Sequence, residues 1–106
     1  LPKRAVKILL NLVLIANDAL VRGGKLSVGA ENRGTEQEIV IRANGPKIVL
    51  DAAVRSALNG DLREADLDSR TAPGWMVRDL ASEAGGTVQI AEPDGEQLII
   101  GALIKH

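Results

Sequence analysis

From Val6 to Ala19 the apolar residues form two interleaved sets, Val6, Leu9, Leu10, Val13 and Ala16 against Ile8, Leu12, Ile15 and Ala19. Both recur at the three- and four-residue spacing of a helix face, which predicts a helix from about Pro2 to Val21, with Pro2 tolerated in the first turn. A helix that is apolar on more than one side is buried on more than one side. One side can meet a sheet. The other, carrying Ile8, Leu12 and Ile15, is expected to pack on something outside this chain and to stand here as an exposed apolar patch.

Beyond Gly23-Gly24 the period changes. Lys25 to Asn32 and Glu36 to Asn44 read as strands joined by Arg33-Gly34-Thr35, a hairpin-length connection. Pro46 to Leu58 reads as a helix ending before Asn59-Gly60. Asp61 to Arg70 is polar, a short helix or loop with Leu62, Ala65 and Leu67 as anchors. Pro73 opens a last helix running into Gly85-Gly86, where the first glycine suits a left-handed C-terminal cap. Val88 to Ala91 and Leu98 to Ile104 then make a hairpin across Pro93-Asp94-Gly95. The expected fold is an α/β (α+β) two-layer sandwich, a mostly antiparallel sheet with three helices on one face, as one domain over residues 1–106.

Composition narrows the chemistry. A chain of 106 residues supports a single core. With 13 basic and 14 acidic residues it has no electrostatic footprint for nucleic acid, and Lys3, Arg4 and Lys7 read as a solvated helix face. The absence of cysteine excludes disulfides and thiolate metal sites and agrees with a reducing, cytoplasmic setting. The apolar stretch of the first helix is broken by Asn11 and falls short of the ~20 residues of a membrane span. Trp75 is the one aromatic residue, so the core is expected to be Leu, Ile, Val and Ala, with no platform for stacking bases. The single histidine, His106, is the last residue, and no second His or Cys exists to build a nucleophile with its base. No catalytic, cofactor-binding or metal-ligating residue is therefore expected on this chain. It begins at Leu1 rather than Met, which leaves open that it is a piece of a longer polypeptide.

Three stretches nevertheless have the layout of a nucleotide site. Asn11 to Val28, a helix followed by Gly-Gly and a strand, resembles the asparagine box of the GHKL (Bergerat) ATPases. In that family's N-x-x-x-N-A pattern the second asparagine holds Mg²⁺, and Ile15 stands at the matching position. Hydrocarbon cannot ligate a hard cation that requires oxygen donors. Asn17 is no substitute, because at 100° per residue it lies about 200° around the helix from position 15. Asp18 is the residue that returns near the face of Asn11. Gln37 to Ile48 resembles the strand and loop of the first glycine box, D-x-G-x-G. There Ala43 replaces the adenine-reading aspartate and Lys47 the second glycine. Ala72 to Ile90 resembles the last glycine box, helix and strand, with Gly74 retained and Trp75 beside it. Helix, strand and loop order persist while the ligand-contacting residue types do not.

Together with Leu9-Leu10-Asn11-Leu12-Val13-Leu14-Ile15-Ala16 and the Ala-Leu before Gly-Gly, these departures resemble the C-terminal domain of the ChpT-type bacterial histidine phosphotransferases. The resemblance implies a histidine-kinase-like dimer whose ATPase domain no longer binds nucleotide. Such proteins accept a phosphoryl group from the receiver domain of a hybrid kinase and pass it to the receivers of response regulators that control the cell cycle. It also implies that the phosphorylated histidine and the homodimer contact belong to an N-terminal helical hairpin absent from this chain. Two other readings stay open at this point. One is a working ATP-dependent kinase domain in which Asn11 or Asp18 takes over the metal; the other is an anti-sigma-like binding module of the same superfamily.

Overall fold

A computed structural model describes residues 2–91 and 95–105. The elements are α1 (Lys3–Ala19), β1 (Lys25–Arg33), β2 (Glu36–Asn44), α2 (Ala52–Leu58), α3 (Ala72–Glu83), β3 (Thr87–Ala91) and β4 (Gln97–Lys105), with one 3-10 turn at Glu64–Asp66. The strands form one sheet in the order β1-β2-β4-β3, every neighbouring pair antiparallel. α1 packs over β2, α3 over β3 and β4, and α2 lies against α3. The expected two-layer sandwich is therefore present, with the helices on one face.

Alternation along β2 and β4 builds the floor of the core. Ile39, Ile41 and Ala43 of β2, and Leu98, Ile100, Ala102 and Ile104 of β4, point under the helices and are buried. From α1 come Ala5, Ile8, Leu12, Ile15, Ala16 and Ala19. Fully burying a side chain such as Ile8 or Leu12 contributes roughly 1.5–3 kcal/mol. Gln37 shares this inward face, and its Oε1 accepts no hydrogen bond from the described residues. Nothing in the structure explains that.

Burial on α1 overturns one expectation. Ile8, Leu12 and Ile15 are 0%, 0% and 4% exposed within this chain's own core, so they form no patch. The exposed apolar row is Val6, Leu10 and Leu14, at 40%, 60% and 55%. Both sets have helical spacing, and which one turns inward is decided by α3 and the sheet, which meet α1 on the Ile8 side.

The second helix is also shorter than expected, beginning at Ala52 rather than Pro46. Residues 46–51 spend their backbone donors elsewhere: Ile48 N–H donates to the Gly95 carbonyl at 2.7 Å and Val49 N–H to the Ala19 carbonyl at 3.0 Å. Asp51 then caps the helix, its side chain accepting from Ala53 N–H at 2.9 Å. In the polar segment Leu62 and Leu67 are half-buried, while Ala65 is exposed and anchors nothing.

Glycine is demanded where chains cross. A Cβ on Gly24 (φ +144) would run into the Asn44 carbonyl, one on Gly45 into the Gly23 carbonyl, and one on Gly86 into the Leu103 carbonyl. Gly85 (φ +68) is the left-handed cap of α3. Gly86 N–H donates to the Ala81 carbonyl at 2.8 Å and Gly85 N–H to that of Ser82 at 3.0 Å, the paired bonds of a Schellman motif. Of the closing hairpin's turn, Pro93 and Asp94 lie outside the described residues.

Candidate functional site: a cleft without ligand chemistry

The end of α1, the segment before α2 and the start of α3 enclose a cleft of about 440 Å³. Its buried lining is Ile15, Ala19 and Val54, its rim includes the exposed Val21 and Val49, and its charged groups are Asp18, Asp51 and Arg70. The asparagine box thus lies against this cleft, with hydrocarbon where a metal ligand would stand. Asn11 is absent from the lining; it is half-buried, and its Nδ2 donates to the Lys7 carbonyl at 2.8 Å, one turn back along its own helix. Asn17 is exposed. Asp18 does reach the cleft, beside Ile15.

The other two boxes are equally altered in space. Ala43 is fully buried in the sheet between Leu26 of β1 and Leu98 of β4, where its methyl group offers no acceptor to a base. Lys47 is exposed on the extended segment. Gly74 lies inside α3 and is buried; a Cβ there would meet Ala57 Cβ at 3.2 Å and the Val54 carbonyl at 3.3 Å. Its smallness seats α3 on α2, and it contributes no loop N–H groups of the kind that cradle phosphate. This role was not visible in the sequence, where Gly74 reads as a loop remnant.

The polar segment ahead of α3 is tied down at both sides. Asp68 Oδ1 accepts from the N–H groups of Arg70 at 3.0 Å and Thr71 at 2.9 Å, and from the Thr71 hydroxyl at 3.0 Å. These bonds, the Thr71 backbone bond first and its hydroxyl next, hold the Asp68 carboxyl below its ordinary value. Arg70 reaches across the cleft mouth to Asp51, the cap of α2, at 3.2 Å. Arg70 and Asp51 were not singled out by sequence reasoning, because their pairing spans 19 positions and carries no local pattern.

A nucleotide's phosphates do not fit this residue set. The cleft presents two carboxylates against one guanidinium over an apolar floor, and the excess negative charge would repel phosphates rather than hold them. Among the described residues no group of three or more His, Cys, Asp or Glu is placed to hold a metal ion. No helix among them is long and apolar enough to cross a membrane. His106 lies outside the described residues.

A sandwich of this topology defines a class, the histidine-kinase-type ATPase fold. The nucleotide-free catalytic domain of the histidine kinase ThkA superposes with a TM-score of 0.68 over 96% of this chain and 65% of that one, at 18% identity, which establishes the fold. The sequence model of the histidine phosphotransferase C-terminal domain family matches residues 1–96, and the chain belongs to that family. It is similar to the protein phosphotransferase ChpT of Brucella abortus (strain 2308), 34% identical over 90 residues, covering 85% of this chain and 43% of that protein. It is likewise similar to a bacterial phosphotransferase of known structure, with a TM-score of 0.81 and 32% identity over 96% of this chain and 49% of that one. The chain therefore spans less than half the length of these relatives.

Proposed function

We propose that this chain is the pseudo-ATPase part of a two-component phosphorelay protein, a histidine phosphotransferase that moves a phosphoryl group from a hybrid-kinase receiver to response-regulator receivers. The observation that carries the reading is Ile15, buried on the floor of the cleft in a member of the phosphotransferase family. In the overall reaction the P–O bond of a receiver aspartyl phosphate breaks and a P–N bond forms on an imidazole; the second transfer reverses this on another receiver. No group described here takes part in that exchange. The imidazole belongs to a helical hairpin outside this chain, which also makes the homodimer.

The role left for this domain is recognition and scaffolding. The exposed row Val6, Leu10 and Leu14, flanked by Lys3 and Lys7 on the same helix, supports that role by offering a surface rather than a site. A cytoplasmic protein acting in cell-cycle control is the setting this reading implies.

The test uses the full-length protein and a receiver carrying labelled phosphate. Label is expected to move to the protein and onward to a second receiver at the same rate with or without ATP. Label entering from ATP itself would replace this reading with that of a kinase.

A further inference from the structure

What the cleft lacks is chemistry for an anion; it does not lack shape or charge. Its volume of about 440 Å³ falls within the roughly 300–1,000 Å³ of small-molecule sites. Ile15, Ala19 and Val54 give it a hydrocarbon floor. Val21 and Val49 stand exposed at its rim, and the fold fixes both at one point: the Ala19 carbonyl accepts the Val21 N–H and the Val49 N–H, each at 3.0 Å. A hydrocarbon body entering between them removes apolar surface from water on both sides, which is favourable in proportion to the area covered.

The charges of the lining do not cancel. They are Asp18, Asp51 and Arg70. Asp51 is committed at both oxygens, Oδ1 accepting the Ala53 N–H at 2.9 Å and Oδ2 pairing with Arg70 at 3.2 Å. That pair neutralises itself. The Asp18 carboxylate, one residue before the carbonyl that anchors the two valines, has no hydrogen-bond or ion-pair partner among the described residues. Arg22 follows Val21 and Lys47 stands two residues before Val49, yet neither belongs to the lining. The cleft therefore joins apolar walls to one unanswered negative charge.

We infer that the cleft binds a small amphiphilic cation, an organic ammonium on a compact hydrocarbon body. The body lies on Ile15, Ala19 and Val54 between the two valines, and the ammonium meets Asp18. A nucleotide inverts this chemistry by bringing anions to the carboxylates. A bare metal ion would find one free carboxylate where it needs several oxygen donors. A neutral hydrocarbon would cover the floor and leave Asp18 without a partner. Because Asp18 is exposed, the ion pair selects the ligand by charge while the apolar contact supplies most of the affinity. This inference does not depend on the phosphorelay reading.

Titration of the methyl-labelled chain, followed by NMR, tests it with ligands of one shape and different charge: cyclohexylmethylamine, which is protonated at neutral pH, cyclohexylmethanol and cyclohexanecarboxylate. The amine should shift the Ile15, Val21, Val49 and Val54 methyl signals saturably, with Kd on the order of 1 mM. The alcohol should bind about threefold more weakly, and the carboxylate more weakly again. Asp18→Asn should bring the amine to the alcohol's affinity and leave the alcohol unchanged, a pattern that loss of folding cannot produce. An amine that binds no tighter than the alcohol, a preference that survives Asp18→Asn, or shifts centred outside the cleft overturns the inference.

Discussion

Glycines at two places in this domain meet different surroundings. At the strand crossings, Gly24, Gly45 and Gly86 have backbone carbonyls where a Cβ would stand. Inside α3, Gly74 instead has the side chains and backbone of α2 against it, at Ala57, Val54 and Leu58. The crossings hold the frame of the domain, because a side chain at any of them would collide with neighbouring backbone. Ile15 on the cleft floor, Ala43 within the sheet and Gly74 between α3 and α2 each serve packing at positions where the resembled boxes carry ligand contacts. Fold and ligand chemistry separate because different atoms carry them.

The sharpest way to break that comparison is at Gly86. Gly86→Ala forces the Leu103 carbonyl to move, and urea denaturation should show a loss of about 3 kcal/mol or more. An Ile15→Asn change restores a ligand type at the cleft, yet buries an amide among hydrocarbon. It should cost about 2–3 kcal/mol in the same assay without creating Mg-ATP binding. Gly74→Val should cost about 2 kcal/mol by overpacking α3 against α2. If Gly74 were a phosphate-loop glycine, that change would leave stability untouched. On α1, Leu12→Ala should cost about 2–5 kcal/mol and Leu10→Ala within about 0.5 kcal/mol, a contrast that thermal melts would reveal directly.

The smallest effect concerns pH. The Asp68 carboxyl titrates below its ordinary value in the folded chain, so its hydrogen bonds stabilise fully above the unfolded carboxylate range near 4. The contribution disappears as pH falls through the folded value. Asp68→Asn should therefore be less stable than the parent at pH 7, with the difference closing in acid. A difference that grows in acid would assign the carboxyl another role.

What could be seen in the sequence follows from how local each cause is. Ile15, Ala43 and Lys47 stand out through the resemblance to boxes that carry other residue types at those positions, and Gly85 by the rule that a left-handed residue ends a helix. The second helix begins later than Pro46 because Ile48 and Val49 donate to Gly95 and Ala19, partners far away in sequence. The exposed side of α1 was assigned to the wrong set because both sets have the same period, and only the position of the sheet and α3 distinguishes them. Gly74 gave no local sign of its contact with Ala57, which depends on how two helices cross.

The central claim, that the frame survives without nucleotide chemistry, is tested most directly by calorimetric titration of the chain with Mg-ATP. The account predicts no saturable heat up to millimolar nucleotide, about 4 kcal/mol of binding free energy at most. A saturable isotherm in the micromolar range, abolished by changing Asp18, would contradict it.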